Sequence, residues 1–171
     1  MFQRILVALG GSACGEQAWE EALSLAQLTH ANLMLVRVLL PSSDLYPLTV
    51  SPTIDLASAH LNREVLQVYN EQEKEREQMV SDYLKARTDA AITQGVAAEY
   101  IAPQGDPGQV ICDLARSWQA DLVILGRRGR RGLEELLLGS VSNYVTHHAP
   151  CSVLTVQQPQ TAEVKEPVIA E

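Results

Sequence analysis

Two short runs of apolar residues, each ended by a glycine, constrain the fold of this chain most strongly. The first covers residues 5–9 and is followed by Gly10, and the second covers residues 122–125 and is followed by Gly126. Runs of this length without a polar residue are typical of strands that are buried on both faces, as in a parallel sheet. Because parallel strands are joined by crossovers, we expect helices to cover both faces of that sheet.

Periodicity and turn residues predict the other elements. Further strands are predicted at residues 32–39, 97–102 and 152–156, and helices at residues 14–29, 107–118 and 140–148. Ser12 and Asp106 are predicted N-caps, and Gly95 is predicted to end a helix. Within residues 57–94 the polar middle predicts a short helix followed by a core-packing helix from about Tyr69. Strands and helices alternate, which predicts an α/β fold: a five-stranded parallel sheet with helices on both faces, Rossmann-like.

The segment around the second apolar run combines features of a phosphate-binding site. After the strand come Gly126, Gly129 and Gly139, with Arg127, Arg128, Arg130 and Arg131 between them, and Ser140 begins the next predicted helix. Glycines let the backbone approach a ligand, and a helix start offers free N–H groups and a partial positive charge. The same glycines could equally be plain turn residues and the arginines solvated, so the pattern alone leaves both interpretations open.

Composition limits the class of protein. The net charge of −8 over 171 residues disfavours non-specific binding to nucleic acid or membranes. Arg37 interrupts the most apolar stretch, and the first residues lack the layout of a signal peptide. Three cysteines without a C-x-x-C pair suit a reducing cytoplasm, where we expect the protein. Neither the Walker nor the dinucleotide fingerprint is present.

The spacing G-x2-G-x9-G-S, formed by Gly126, Gly129, Gly139 and Ser140, resembles the nucleotide-binding signature of the universal stress protein family. The resemblance covers residues 1–156. It implies an adenine-nucleotide α-hydrolase-like domain over that range, with a loop and helix insertion at 41–69. Residues 157–171 lack periodicity and carry two prolines, which predicts a flexible tail.

The same resemblance implies a ligand and a partner. It implies ATP, or AMP, as the ligand, with Mg²⁺ bridging the phosphates of ATP. It also implies a homodimer formed through the last strand, Ser152–Val156. The implied nucleotide-binding residues are Ala8, Leu9, Gly10, Ser12, Val38, Leu125, Gly126, Arg128, Gly129, Arg130, Gly139, Ser140, Val141 and Ser142.

One departure from the family pattern affects the expected function. The family commonly places an aspartate two residues before the serine that follows the first strand, and Gly10 takes that position here. Loss of a charged hydrogen bond costs about 1.5–3 kcal/mol, so the preference among ATP, AMP and cyclic adenine nucleotides stays open. A nucleotide-independent dimeric interaction module is the alternative.

We expect a cytoplasmic stress-response regulator that binds its nucleotide without turnover or with slow ATP hydrolysis. Glu134 and Glu135 lie within the glycine loop but have no clear role in positioning water. An enzyme of the related α-hydrolase group would need a catalytic constellation that the sequence does not offer.

Overall fold

The computed structural model describes residues 1–40, 56–127 and 139–157, with the backbone alone for residues 56–66. Residues 41–55 of the predicted insertion, residues 128–138 in the middle of the glycine segment and residues 158–171 of the predicted tail lie outside the described residues. The elements in chain order are β1 (Arg4–Ala8), α1 (Ala13–Thr29), β2 (Asn32–Val36), α2 (Leu56–Thr93), β3 (Ala98–Ile101), α3 (Pro107–Ser117), β4 (Leu122–Gly126), α4 (Ser140–His148) and β5 (Ser152–Val156).

The five strands form one parallel sheet in the order β3-β2-β1-β4-β5. Ile5 of β1 pairs with Leu33 of β2 on one side and with Leu122 of β4 on the other. The chain builds outward from β1 in one direction and then from β4 in the other. The strand order therefore reverses between β1 and β4, and parallel sheets of this kind form a ligand crevice at the carboxyl end of that position.

Alternate residues of the central strands pack into two separate cores. Val7 of β1 and Leu35 of β2 lie in the core beneath α1 and α2, which contribute Trp19 and Leu84. The residues that alternate with these along the strands, such as Leu6 of β1, point to the other face and lie in the core beneath α3 and α4. The predicted fold, a five-stranded parallel sheet with helices on both faces, is confirmed.

The long second helix differs from the sequence prediction. The structure has one continuous helix over Leu56–Thr93, where the polar middle predicted a break before Tyr69. No glycine or proline interrupts this segment, and residues such as Glu, Lys and Gln are good helix formers on an exposed surface. An i,i+3 ion pair between Glu73 and Arg76 adds local support. Gly95, with φ of 81°, follows the helix as predicted.

Smaller differences concern strand ends and caps. The ladder of β2 ends at Val36 rather than residue 39, although Leu39 still forms a parallel bridge with Gln104. Ser12 is the N-cap residue of α1 but makes no side-chain capping bond, whereas the predicted cap of α3 is confirmed: Asp106 Oδ1 accepts the N–H of Gln109 at 3.0 Å. Among the described helices, none combines the length and apolarity needed to cross a bilayer.

Candidate functional site

A cleft of about 560 Å³ opens at the carboxyl ends of β1, β2 and β4. We call it the strand-end cleft. The starts of α1, α3 and α4 and two positions on α2, Arg76 and Val80, complete its walls. Its volume falls within the range of small-molecule sites, and it lies where the strand order reverses.

The predicted site residues that the structure describes all line the strand-end cleft. Ala8, Val38 and Val141 form apolar parts of its wall and pack against the core beneath α3 and α4. Arg128, Gly129 and Arg130 lie outside the described residues. The predicted residues that line the cleft are Ala8, Leu9, Gly10, Ser12, Val38, Leu125, Gly126, Gly139, Ser140, Val141 and Ser142.

The start of α4 supplies hydrogen-bond donors to the cleft. Gly139 is the N-cap residue, and the first backbone bond of the helix runs from the N–H of Asn143 to the Gly139 carbonyl at 2.8 Å. The N–H groups of the three preceding residues therefore have no acceptor within the helix. Ser142 Oγ donates back to the Gly139 carbonyl at 2.9 Å, whereas Ser140 is exposed. This arrangement suits an anionic group of a ligand.

Gly126 is required by protein packing before any ligand is considered. A Cβ at this position would lie 2.6 Å from the carbonyl oxygen of Cys14 at the start of α1. At Gly10, by contrast, a Cβ would meet only Ser12 Oγ at 3.9 Å. The first glycine brings α1 close to the sheet, and the second leaves open space above the end of β1.

Not every arginine after β4 faces the cleft. Arg127 was grouped in the sequence with the cations of the glycine segment, but its Nη1 donates to Gln157 Oε1 at 3.3 Å, beyond the end of β5. Arg127 does not line the cleft. The side chain of Arg127 points toward β5 because its backbone extends the pairing of β4 with β5. The N–H of Arg127 donates to the Val156 carbonyl at 2.7 Å.

Sequence reasoning missed two cations of the cleft, Arg37 and Arg76. Arg37 follows β2 next to Val38, and a charge inside an apolar run at a strand end was the signal that could have identified it. Arg76 comes from the middle of α2, and no local pattern connects it with the strand ends. Asp106 at the start of α3 also lines the cleft and was predicted only as a helix cap.

A charged network on α1 and α2 lies behind Arg37. Glu16 forms an ion pair with Arg87 and accepts the Tyr83 hydroxyl at 2.8 Å. The hydrogen bond from Arg87 lowers the pKa of Glu16 despite its partial burial. Burial, and next the bond to Glu16, raises the pKa of Tyr83 to about 12. The guanidinium groups of Arg87 and Arg37 lie 4.0 and 5.4 Å from the centre of the Tyr83 ring.

An open parallel sheet with a cleft of this size at the strand-order reversal defines an α/β protein with a candidate small-molecule site. Sequence comparison gives the particular family: the chain belongs to the universal stress protein family, whose model matches residues 1–157. The universal stress protein Sll1388 of Synechocystis sp. is 36% identical over 156 residues, which are 91% of this chain and 98% of that protein.

Solved structures agree on the fold. The protein MJ0577 superposes with a TM-score of 0.71 at 20% identity, covering 94% of this chain and 99% of that one. A universal stress protein in complex with cAMP gives a TM-score of 0.62 at 21% identity over 91% of this chain and 97% of that one. A universal stress protein family protein from Arabidopsis thaliana with AMP bound gives a TM-score of 0.59 at 20% identity, over 92% of this chain and 93% of that one.

Proposed function

We propose that this chain binds an adenine nucleotide in the strand-end cleft and acts as a cytoplasmic regulator in stress responses. The observation that supports this most directly is that the described residues implied by the family signature line a single cleft. The AMP and cAMP bound by two proteins of the same fold support the same ligand class.

In the proposed complex the phosphates lie against the start of α4 and the adenine packs on Val38. The N–H groups at residues 140–142 and the exposed Ser140 hydroxyl would then donate to phosphate oxygens. Arg128, Gly129 and Arg130 are proposed to complete the phosphate site from the glycine segment. ATP and AMP both remain candidates, because Gly10 offers no carboxylate to the nucleoside.

We propose that Mg²⁺, when ATP is bound, is held mainly by the phosphates themselves. In the described part of the chain no three metal-ligating side chains cluster together. Magnesium commonly takes one or two protein oxygens, several waters and substrate phosphates, so such a cluster is not required. Asp106 is the one acidic residue among the described residues that line the cleft.

We propose binding rather than turnover as the main activity. Among the described lining residues the single carboxylate is Asp106, and its Oδ1 already accepts the N–H of Gln109. Glu134 and Glu135 lie outside the described residues. Purified protein free of contaminating ATPases should hydrolyse ATP slowly or not at all, and turnover at the rates of ordinary enzymes would refute this part of the proposal.

Replacing Ser140 with aspartate tests the phosphate position. An aspartate in the first turn of α4 interacts favourably with the helix dipole, so the fold should be retained. The negative charge of the aspartate should, however, repel a bound phosphate. We expect the affinity for AMP or ATP, measured by titration calorimetry, to fall at least about tenfold in Ser140→Asp. Ser140→Ala, which removes only the hydroxyl, should lose less. Equal affinities for wild type and Ser140→Asp would place the phosphates elsewhere.

A nucleotide-independent interaction module is the second candidate, and the glycine at position 10 favours it because the end of β1 lacks an acceptor side chain. Titration calorimetry with ATP, AMP and cAMP distinguishes the two functions. Heat that saturates at a defined stoichiometry supports the nucleotide site. Absence of heat with every nucleotide at millimolar concentration would support the interaction module instead.

A further inference from the structure

Arg37 places a positive charge on the side of the strand-end cleft opposite to α4. It follows β2, and its partly buried side chain extends across the end of β1. Its Nη2 atom lies 3.1 Å from the position that a Cβ on Gly11 would occupy. Arg37 and Gly11 both line the cleft, so the guanidinium borders the part of the cleft just beyond the end of β1, where Gly10 leaves open space.

Among the described residues, the carboxylate that lines the cleft and the one in the network behind Arg37 are engaged by other groups. Glu16 pairs with Arg87 and accepts the Tyr83 hydroxyl, and Asp106 accepts a backbone N–H. The other cation of the cleft, Arg76, donates to Glu73 at 2.9 Å and to the Leu40 carbonyl at 2.6 Å. Within the described ranges Arg37 forms no ion pair, and its neighbour is the Tyr83 ring. A partly buried guanidinium of this kind suits an anionic ligand group.

The cleft thus offers two positions for an anion. One is the start of α4, which follows β4, and the other is Arg37, which follows β2. Neighbouring strands are about 4.8 Å apart and β1 lies between these two, so the strand ends are about 10 Å apart. A chain of phosphates on the 5′ oxygen extends to one side of the ribose, whereas a phosphate on the 2′ or 3′ oxygen lies on another side.

We propose that Arg37 binds a phosphate carried by the ribose, so that the preferred ligand is an adenine nucleotide phosphorylated on both the 5′ oxygen and the 2′ or 3′ oxygen. This inference rests on the proposed nucleotide site and names its ligand class more closely. Arg37 then determines specificity, and the start of α4 binds the 5′ phosphate that all candidate ligands share.

Isomeric ligands give a direct test. ADP and adenosine 3′,5′-bisphosphate have the same composition and differ only in where the second phosphate is attached. Titration calorimetry of the wild-type chain should give at least about tenfold tighter binding of the bisphosphate than of ADP. Adenosine 2′,5′-bisphosphate, measured in parallel, identifies which ribose oxygen carries the phosphate. In Arg37→Gln the ratio of the two affinities should fall to about one.

Two further variants show whether a lost preference comes from the charge of Arg37 or from a disturbed fold. Arg116→Gln removes an arginine that pairs with Asp113 and does not line the cleft, so the preference should persist. Gly10→Asp has room for its side chain and adds a carboxylate to the part of the cleft where β1 ends, without removing the packing of Arg37 on Tyr83. It should abolish the preference as Arg37→Gln does.

The outcomes separate this inference from the proposed function. Binding of ADP with no preference for either bisphosphate, or a preference that survives both Arg37→Gln and Gly10→Asp, would overturn the role of Arg37 but retain the nucleotide site. Tighter binding of GMP than of AMP that disappears in Arg37→Gln would assign Arg37 to the base and overturn the inference. Absence of binding by every nucleotide would overturn the proposed function itself.

Discussion

At the scale of single residues, the glycines around the cleft have different physical roles. Gly126 allows the start of α1 to approach β4, because a Cβ would collide with the Cys14 carbonyl. Gly10 has no such neighbour, and its backbone is not among the glycines with positive φ. In the sequence the two glycines look alike, because each follows an apolar run. Only Gly126 is required by the packing of α1 against β4.

Alanine at each position separates these roles. Gly126→Ala should lower the free energy of unfolding by about 1–3 kcal/mol, because the new methyl group lies 2.6 Å from a backbone oxygen that cannot rotate away. Gly10→Ala should change it by less than about 1 kcal/mol. Urea unfolding followed by circular dichroism measures both. If the two variants were equally stable, α1 would not pack against Gly126 as described.

Tyr83 makes the free energy of unfolding depend on pH in the alkaline range. Its pKa is raised from the usual value of 10.0 to about 12, so the folded state retains a proton that the unfolded state loses. The resulting stabilisation is fully present below about pH 10 and is lost as the pH rises toward 12. Between about pH 9 and pH 11 the wild type should lose more of its free energy of unfolding than Tyr83→Phe. If the free energies of unfolding of the two proteins fell equally with pH, the raised pKa of Tyr83 would be contradicted.

At the scale of elements, α2 is the least expected feature. Its 38 residues extend for about 57 Å, far longer than a five-residue strand. Its later turns contribute Val80, Leu84 and Ala91 to the core, and Arg76 reaches the cleft. The helix therefore contributes both to the core and to one wall of the candidate site.

A proline in the middle of α2 tests its continuity. Glu75 is exposed, and proline at this position would remove a backbone bond and clash with the preceding turn, at a cost of about 3 kcal/mol where the helix is intact. We expect Glu75→Pro to lose helical signal in circular dichroism, whereas Glu75→Ala should retain it. A proline variant with unchanged ellipticity would contradict an unbroken helix through residue 75.

At the scale of the whole molecule, β5 is an edge strand among the five described strands, and an edge strand can pair with a strand of another chain. Its side chains include Leu154, which is 37% exposed, and the partly buried Val153. Because this edge is partly apolar, we propose that two copies of the chain pair through Ser152–Val156, as the family resemblance implies.

A lysine on β5 tests that dimer. Leu154→Lys places a charge on the proposed contact and should shift the protein from dimer to monomer in sedimentation-velocity ultracentrifugation at micromolar concentration. Leu28→Lys replaces a leucine that is 75% exposed on α1 and should leave the sedimentation unchanged. Wild-type protein that sediments as a monomer at the same concentration would contradict the proposal.

Features set by local chemistry could be predicted from the sequence. The apolar runs fixed both central strands because a segment buried on both faces cannot include polar groups without cost. Asp106 and Pro107 predicted the start of α3 because cap and turn preferences depend on neighbouring residues. The family resemblance indicated residues at or just after the ends of β1, β2 and β4 and at the start of α4, and the described ones among them line one cleft.

Only the tertiary structure decided which residues from distant segments meet. Arg76 joins Arg37 in the cleft because α2 packs against β2 and β3. Arg127 turns toward β5 because its backbone continues the ladder with that strand. Gly126 is required by a carbonyl more than a hundred residues earlier. These contacts depend on how elements pack over long sequence separations, and short-range periodicity carries no information about such packing.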